Sequence, residues 1–335
     1  MKTDLASLFE KKLILSGLIK PGDKVFVACS GGPDSVALVY LLNTLRVSWK
    51  LKLGLIHFHH GLRARTASRD MSFVERLAKH LEIACVTGRG NVRKQALFEK
   101  LSVEEAARKA RYDFFSREAS RRKIEKIALA HTLDDQAETV LMRMIQGTGL
   151  QGLQAIRETR KLRRLSLVRP LLAFSKEQIL SYLKDGKKTF CRDETNDSSD
   201  FLRNRLRQKV LPLLEKQFNP RVKEALARIP AVIAEEAQAL ELWELAAFQS
   251  ACVQTSSKQI VFSRPLFKQL PSAIQFRVLR RALEKLDSRS GLPFDAWETL
   301  RGSFSRPRYR HSLKRDLDLS LTPEKIMVYK KKSGR

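Results

Sequence analysis

The chain has no Cys-x-x-Cys pair: Cys29, Cys85, Cys191 and Cys252 stand far apart. That spacing argues against a zinc ribbon or a dithiol redox centre and predicts reduced thiols, Cys29 and Cys85 among them packed as small apolar residues. No apolar run reaches the ~18 residues of a membrane helix. Glu10-Lys11-Lys12 follows the start too soon to leave room for the apolar core of a signal peptide. These absences predict a cytoplasmic protein with no membrane partner. Aromatic residues are scarce, at 7%, and form no RNP-type pattern. Acidic residues are the minority, 36 against 64 basic ones, for a net charge of +28. An excess of this size draws polyanions and favours nucleic-acid binding through phosphate and shape contacts rather than a stacking platform. Nor is there a Gly-x-x-x-x-Gly-Lys-Ser/Thr, so a Walker A loop is excluded.

A different phosphate seat is present. The apolar run Val25–Cys29 leads into Ser30-Gly31-Gly32-Pro33-Asp34-Ser35, and a second apolar run, Val36–Leu42, follows. This reads as strand, glycine turn and helix. The unpaired N–H groups and partial positive charge of a helix start suit an anion, the glycines let backbone approach it, and the serines add donors.

Hydrophobic periodicity extends the pattern. Strands are predicted at 24–29, 51–57, 84–87 and 124–130. Helices are predicted at 4–19, 34–46, 68–82, from a Ser102-x-x-Glu105 capping box to 121, and at 133–146. Alternation of this kind predicts an α/β fold, a parallel Rossmann-like sheet with helices on both faces. Ligands then sit beyond the carboxyl ends of the strands, where the 30–35 turn, His57 and His131 all fall. Residues 157–169 read as an exposed basic connection, 175–185 as a helix and 193–200 as a polar loop. Residues 201–216 read as a helix broken or kinked at Pro212. Beyond lie a long helix from 221 to 252 interrupted at Pro230, a strand at 259–262, a helix at 271–287 and a frayed basic tail, Lys330–Lys332. The expected domains are 1–216, nucleotide-binding and catalytic, and 217–335, mostly helical and RNA-binding.

The 30–35 turn resembles the PP-loop of the ATP pyrophosphatases, enzymes of the adenine nucleotide alpha hydrolase-like fold that cleave ATP to AMP and pyrophosphate. Further segments resemble one branch, the tRNA(Ile)-lysidine synthetases. They are His57-Phe58-His59-His60-Gly61-Leu62-Arg63, Val103 to Tyr112, Ala130-His131-Thr132-Leu133-Asp134-Asp135 with Gln146-Gly147-Thr148-Gly149, and Asp193 through Arg207 to Pro212. The match runs in order over about 23–215 and departs at position 59, where the family more often has Asp or Asn.

The resemblance implies an enzyme that adenylates the wobble cytidine of a CAU-anticodon isoleucine tRNA. Free L-lysine then displaces AMP, and the anticodon passes from reading AUG to reading AUA. ATP and Mg²⁺ are the implied substrate and cofactor. Ser30, Gly31, Gly32, Pro33, Asp34 and Ser35 would hold the pyrophosphate, and His57 and His60 would lie on the adenine side. His131, Asp135 and Arg111 would be catalytic, and Arg203, Asn204 and Arg207 would contact tRNA. Asp34 is a candidate Mg²⁺ ligand or a brace for its own turn. Thr132-x-x-Asp135 also reads as a helix cap, and Glu104, Arg108 and Arg111 as a surface ion-pair row. Arg203 and Arg207 also fit a solvated helix face. Either Glu138 or Asp193 would face the lysine ammonium. A tRNA base thiolase and a non-catalytic RNA-binding protein are the competing readings, and a homodimer is compatible with the sequence.

Overall fold

The computed structural model describes residues 4–59, 61, 64–191, 202–287, 291–314 and 316–331, without the side chains of 64–68 and 314. His60 and the 193–200 loop therefore lie outside the described residues. The chain divides into two compact units, 1–233 and 234–335.

In the first unit, α1 (Leu5–Ser16) stops at Gly17 in the left-handed region, and β1 (Lys24–Ala28) leads into α2 (Pro33–Thr44). Then come β2 (Lys52–His59), α3 (Ala64–His80), β3 (Ala84–Arg89) and α4 (Val92–Glu99). Next are α5 (Val103–Arg122), β4 (Lys126–Ala128), α6 (Leu133–Ile145) and the single turn α7 (Leu150–Leu153). The hairpin β5 (Thr159–Leu162) and β6 (Leu165–Val168) precedes α8 (Lys176–Asp185). The sheet order is β3-β2-β1-β4-β6-β5, parallel except for β5 on β6.

Alternation along β1 builds two cores. Val25, Val27 and Cys29 face one side with α1, α2 and α8 residues, while Phe26 faces the other with Phe114 and Phe115 of α5. The chain goes from β1 outward through β2 and β3, then crosses back to β4 on the other side of β1. The β1/β4 boundary is thus the switch point where an open α/β sheet leaves a crevice.

The segment read as an exposed basic connection is a correction. Leu165–Val168 is buried throughout as β6, and Arg169 is only 5% exposed. The clustered charges of 160–164 sit on β5 and its turn and mask the short apolar run beyond them. After 201, α9 (Leu202–Arg205) opens into a π-helical stretch, Leu206–Val210, before α10 (Leu211–Gln217). The Leu211 N–H reaches back to Leu206 O. The widened turn sits just ahead of Pro212, which cannot donate to an ordinary α-helical acceptor. Pro230 does not interrupt its helix: α11 (Val222–Ala251) runs through it. The cost is one N–H, the donor that the Leu226 carbonyl would otherwise have had. The division of the chain at 233 falls inside this helix, not at the 216/217 position expected from composition.

In the second unit, β7 (Cys252–Thr255) and β8 (Gln259–Ser263) are followed by α12 (Arg264–Gln269), α13 (Ser272–Leu286) and α14 (Phe294–Arg301). Strands β9 (Tyr309–Lys314), β10 (Leu317–Leu321) and β11 (Lys325–Lys330) complete an antiparallel sheet, β7-β8-β11-β10-β9. Helix remains the larger share of this unit, as expected. The sheet is an addition, since only its 259–262 segment was read as a strand. Lys330, expected in a frayed tail, ends β11. Buried Trp297, Phe262 and Phe267 form the core of this unit.

Candidate active site

Gly31 has φ +93°, a conformation that favours glycine, and its carbonyl accepts from Cys191 N at 2.8 Å. Gly32 caps α2, and Pro33 takes the first helical position, where its missing N–H is harmless. The Ser35 hydroxyl is committed to the loop. It donates to Gly32 O at 2.9 Å, accepts from Ser30 N at 3.2 Å and lies 3.2 Å from Ser30 Oγ. Ser35, expected as a phosphate donor, is buried, braces the turn and also reaches the wall of the adjacent cavity. The first-turn N–H groups of α2 lack intrahelical acceptors and suit an anion.

Across the switch point, β4 leads to His131 and the cap of α6. Both readings of Asp135 hold, one for each oxygen. Its Oδ2 closes a capping box, accepting from Thr132 N at 2.9 Å and Thr132 Oγ1 at 3.1 Å. Its Oδ1 accepts from Arg203 Nη2 at 2.9 Å, with Arg207 Nη2 at 3.7 Å and Lys176 Nζ at 3.8 Å. One turn on, Glu138 is 1% exposed. It accepts from Arg203 Nε at 2.7 Å and from Arg207 Nε and Nη2 at 2.5 and 2.9 Å. Arg203 and Arg207, expected on a face turned to RNA, are thus engaged by two carboxylates of α6. Asn204 also has a partner. Sequence reading treated Glu138 only as a candidate lysine receptor and missed Lys176. The signal was there: carboxylates at i, i+3 on one helix match guanidiniums four apart on another.

A cavity of about 570 Å³ joins these parts, with Asp34, Ser35, Arg111, His131, Lys176 and Arg207 in its wall. That volume suits a nucleotide-sized ligand. His57 is not in that wall. Its Nδ1 bonds the Cys29 carbonyl at 2.7 Å, and burial lowers its pKa, so it serves to tie β2 to the end of β1. At His59, where the sequence departs from the resembled pattern, Nδ1 accepts from Gly61 N at 3.0 Å.

Burial sets the charges. It lowers His131 to about 4, so the ring is neutral at pH 7, and its Nδ1 is buried with no partner. Burial also opposes ionisation of Asp135, but Lys176, Arg203 and the Thr132 amide outweigh it and hold the pKa low. Asp34 is raised to about 6, chiefly by burial and then by Asp135 and Asp134, against the pull of Lys176. No cluster of three or more His, Cys, Asp or Glu among the described residues can hold a metal ion. A magnesium ion brought with a nucleotide needs only one or two carboxylates, because phosphate oxygens and water complete its shell. Asp34, acidic and in the cavity wall, fits that requirement.

The raised Asp34 carries a prediction. The folded protein holds a proton on Asp34 that the unfolded chain has released between about pH 4 and 6. This group's contribution to stability therefore falls as pH rises through that window. Asp34→Asn should remove the fall and, without magnesium, raise the thermal midpoint at pH 7.5 by a few degrees, roughly what 1–2 kcal/mol gives. Denaturation scans at pH 4.5 and 7.5 check it; the same midpoint difference in both proteins would refute it.

The sequence profile described as a PP-loop domain matches residues 1–214. The chain belongs to the PP-loop family. A tRNA(Ile)-lysidine synthase from Clostridium perfringens is 33% identical over 274 residues, 82% of this chain and 57% of that protein. One from Geobacter sulfurreducens is 36% identical over 267 residues, 80% and 56% of the two chains. This PP-loop protein spans a little under three-fifths of the length of these relatives. Among solved structures, a U34-tRNA thiolase from Methanococcus maripaludis with its 4Fe–4S cluster is similar with a TM-score of 0.56 and 20% identity, over 68% of this chain and 78% of that one. The likeness confirms the PP-loop fold. Among the described residues, no helix is long and apolar enough to cross a membrane.

Proposed function

We propose that this chain is an ATP-dependent tRNA(Ile)-lysidine synthetase that works in the cytoplasm. The observation that carries the reading is a cavity walled by PP-loop residues together with Arg111, His131, Lys176 and Arg207, the last tying it to the Asp135/Glu138–Arg203/Arg207 cluster, within a chain similar to lysidine synthases over four-fifths of its length. The O2 of the wobble cytidine attacks the α-phosphorus of ATP, and the bond to the β-phosphate breaks. The α2 N–H groups, Arg111 and Lys176 meet the charge on departing pyrophosphate. Magnesium, held through Asp34, supplies further charge neutralisation when bound. The lysine amine then forms a bond to C2, the C2–O bond breaks, and AMP leaves. Neutral His131 and ionised Asp135 are the groups at hand to take the proton the amine releases. The product base pairs with A instead of G, so the anticodon reads AUA and the tRNA gains isoleucine identity.

The thiolase reading lacks its chemistry. Burial pushes the Cys29 and Cys85 thiols up to about 11, and all four cysteines are free. Sustained release of pyrophosphate and AMP that depends on both CAU-anticodon tRNA and L-lysine tests the proposal; without lysine only a stoichiometric burst of pyrophosphate from the adenylation step is expected. Multiple-turnover release without lysine, or transfer of sulfur, would refute it.

The net charge of +28 predicts steep salt dependence. With six or more phosphates met at roughly −0.7 to −0.9 each, the log–log slope of tRNA affinity should be about −4 or steeper. Residues 217–335 are proposed to carry much of that contact. Because α11 runs to Ala251, the informative deletion is 252–335. It should flatten the slope and leave ATP binding intact; a full-length slope near zero would overturn the assignment.

A further inference from the structure

Tyr112 is ringed by guanidiniums. Arg108 Cζ lies 5.2 Å from the ring centroid, Arg111 Cζ 5.5 Å and Arg160 Cζ 5.7 Å. Arg169, 5% exposed at the end of β6, adds a fourth, beside the Tyr112 side chain. Its Nη1 donates to Arg157 O at 2.6 Å. The Nε atoms of Arg169 and Arg111 are both buried without a partner. None of the four forms an ion pair with a carboxylate among the described residues.

Four like charges around one ring repel each other. Burial lowers the Arg169 pKa, and neighbouring Arg108 and Arg160 act in the same direction. The Tyr112 π face offsets part of that repulsion but carries no formal charge. A phosphate oxyanion does, and guanidinium forks match it bidentately. Two phosphate sources are at hand, ATP and the RNA backbone. The nucleotide already has the α2 N-terminus. Arg111 is in the cavity wall, whereas Arg108, one turn earlier on α5, and Arg160 are exposed. The cluster therefore leads outward from the cavity.

We infer that Arg108, Arg160 and Arg169, gathered on Tyr112, form a seat for a backbone phosphodiester of the RNA strand whose base enters the cavity. This rests on the proposed function and adds a phosphate site distinct from that of ATP. The test is the double variant Arg108→Gln/Arg160→Gln. Both side chains are exposed, and an unchanged thermal midpoint confirms that the variant folds. Binding of unmodified CAU-anticodon tRNA is measured across potassium chloride concentrations, and ATP binding is measured without RNA. The expected result is tRNA affinity about tenfold weaker at ~0.1 M salt, a log–log slope flattened by about one, and ATP affinity within twofold of wild type. Weakened ATP binding with unchanged tRNA affinity would assign the seat to the nucleotide and overturn the inference, as would no change in either. A wild-type protein that binds tRNA but shows no lysine-dependent turnover would sink the enzymatic reading alone, because the seat is read from affinity. One that binds no tRNA would sink both.

Discussion

The Asp135→Asn protein is expected to fold with a lowered thermal midpoint, because the charge its cationic neighbours stabilise is gone, and to lose tRNA- and lysine-dependent AMP formation by about 10³-fold. Asparagine keeps an oxygen to accept from Thr132 N, so the capping box survives. It loses the charge that Arg203, Arg207 and Lys176 converge upon. Asp135→Ala should lose activity and also the carboxylate half of the capping box, while Asp135 N still donates to Thr132 Oγ1. His131→Ala should lower turnover by at least about a hundredfold, the usual scale for a general acid–base group. Since His131 titrates near 4, wild-type activity should show no acid limb near pH 6.5 from this ring. Single-turnover AMP formation with saturating tRNA separates these effects from weakened binding. Near-wild-type turnover in Asp135→Asn would remove Asp135 from the chemistry.

The first sheet was legible because its strands are short apolar runs next to glycine turns, and β1 with the 30–35 turn is the clearest case. The edge of that sheet was not. In β5 and β6, Arg160, Lys161, Arg163 and Arg164 dominate a window in which only Leu165–Val168 is core. The antiparallel sheet of the second unit was missed for a related reason. Strands β9 and β11 mix lysine and arginine with half-buried and buried residues, and short strands with one wet face give weak periodicity. At the candidate site, the residue types were legible but their partners were not. Ser35 reads as a ligand donor, and its bonds within the loop could not be read; Arg203 reads as an RNA contact, and its pairing with Glu138 could not be read. Long-range pairing of charges depends on how α9 is placed against α6, and local periodicity does not encode that.

Glu138→Ala should give the largest loss of stability of any single change in the cluster. Glu138 is 1% exposed and accepts three hydrogen bonds from two guanidiniums. Removing it leaves the partly exposed Arg203 and Arg207 with only the Asp135 carboxylate between them, and losing these charge-assisted hydrogen bonds costs about 2–3 kcal/mol. For a unit of this size the thermal midpoint should fall by roughly 4–12 °C. Glu138→Gln preserves shape and two acceptor lone pairs, so it should fold more stably than the alanine variant while still failing in turnover. The same pair of variants decides whether Glu138 receives the lysine ammonium. Its charge is already matched by two arginines, and Lys176 stands close by on Asp135. A further cation gains little from such a carboxylate. The expected outcome for Glu138→Gln is therefore a fall in kcat with the KM for lysine within about threefold of wild type, the signature of a lost transition-state arrangement rather than lost substrate binding. A tenfold or larger rise in the lysine KM, with the thermal midpoint unmoved, would show instead that Glu138 is the amino-acid receptor and that the two arginines turn aside when substrate arrives.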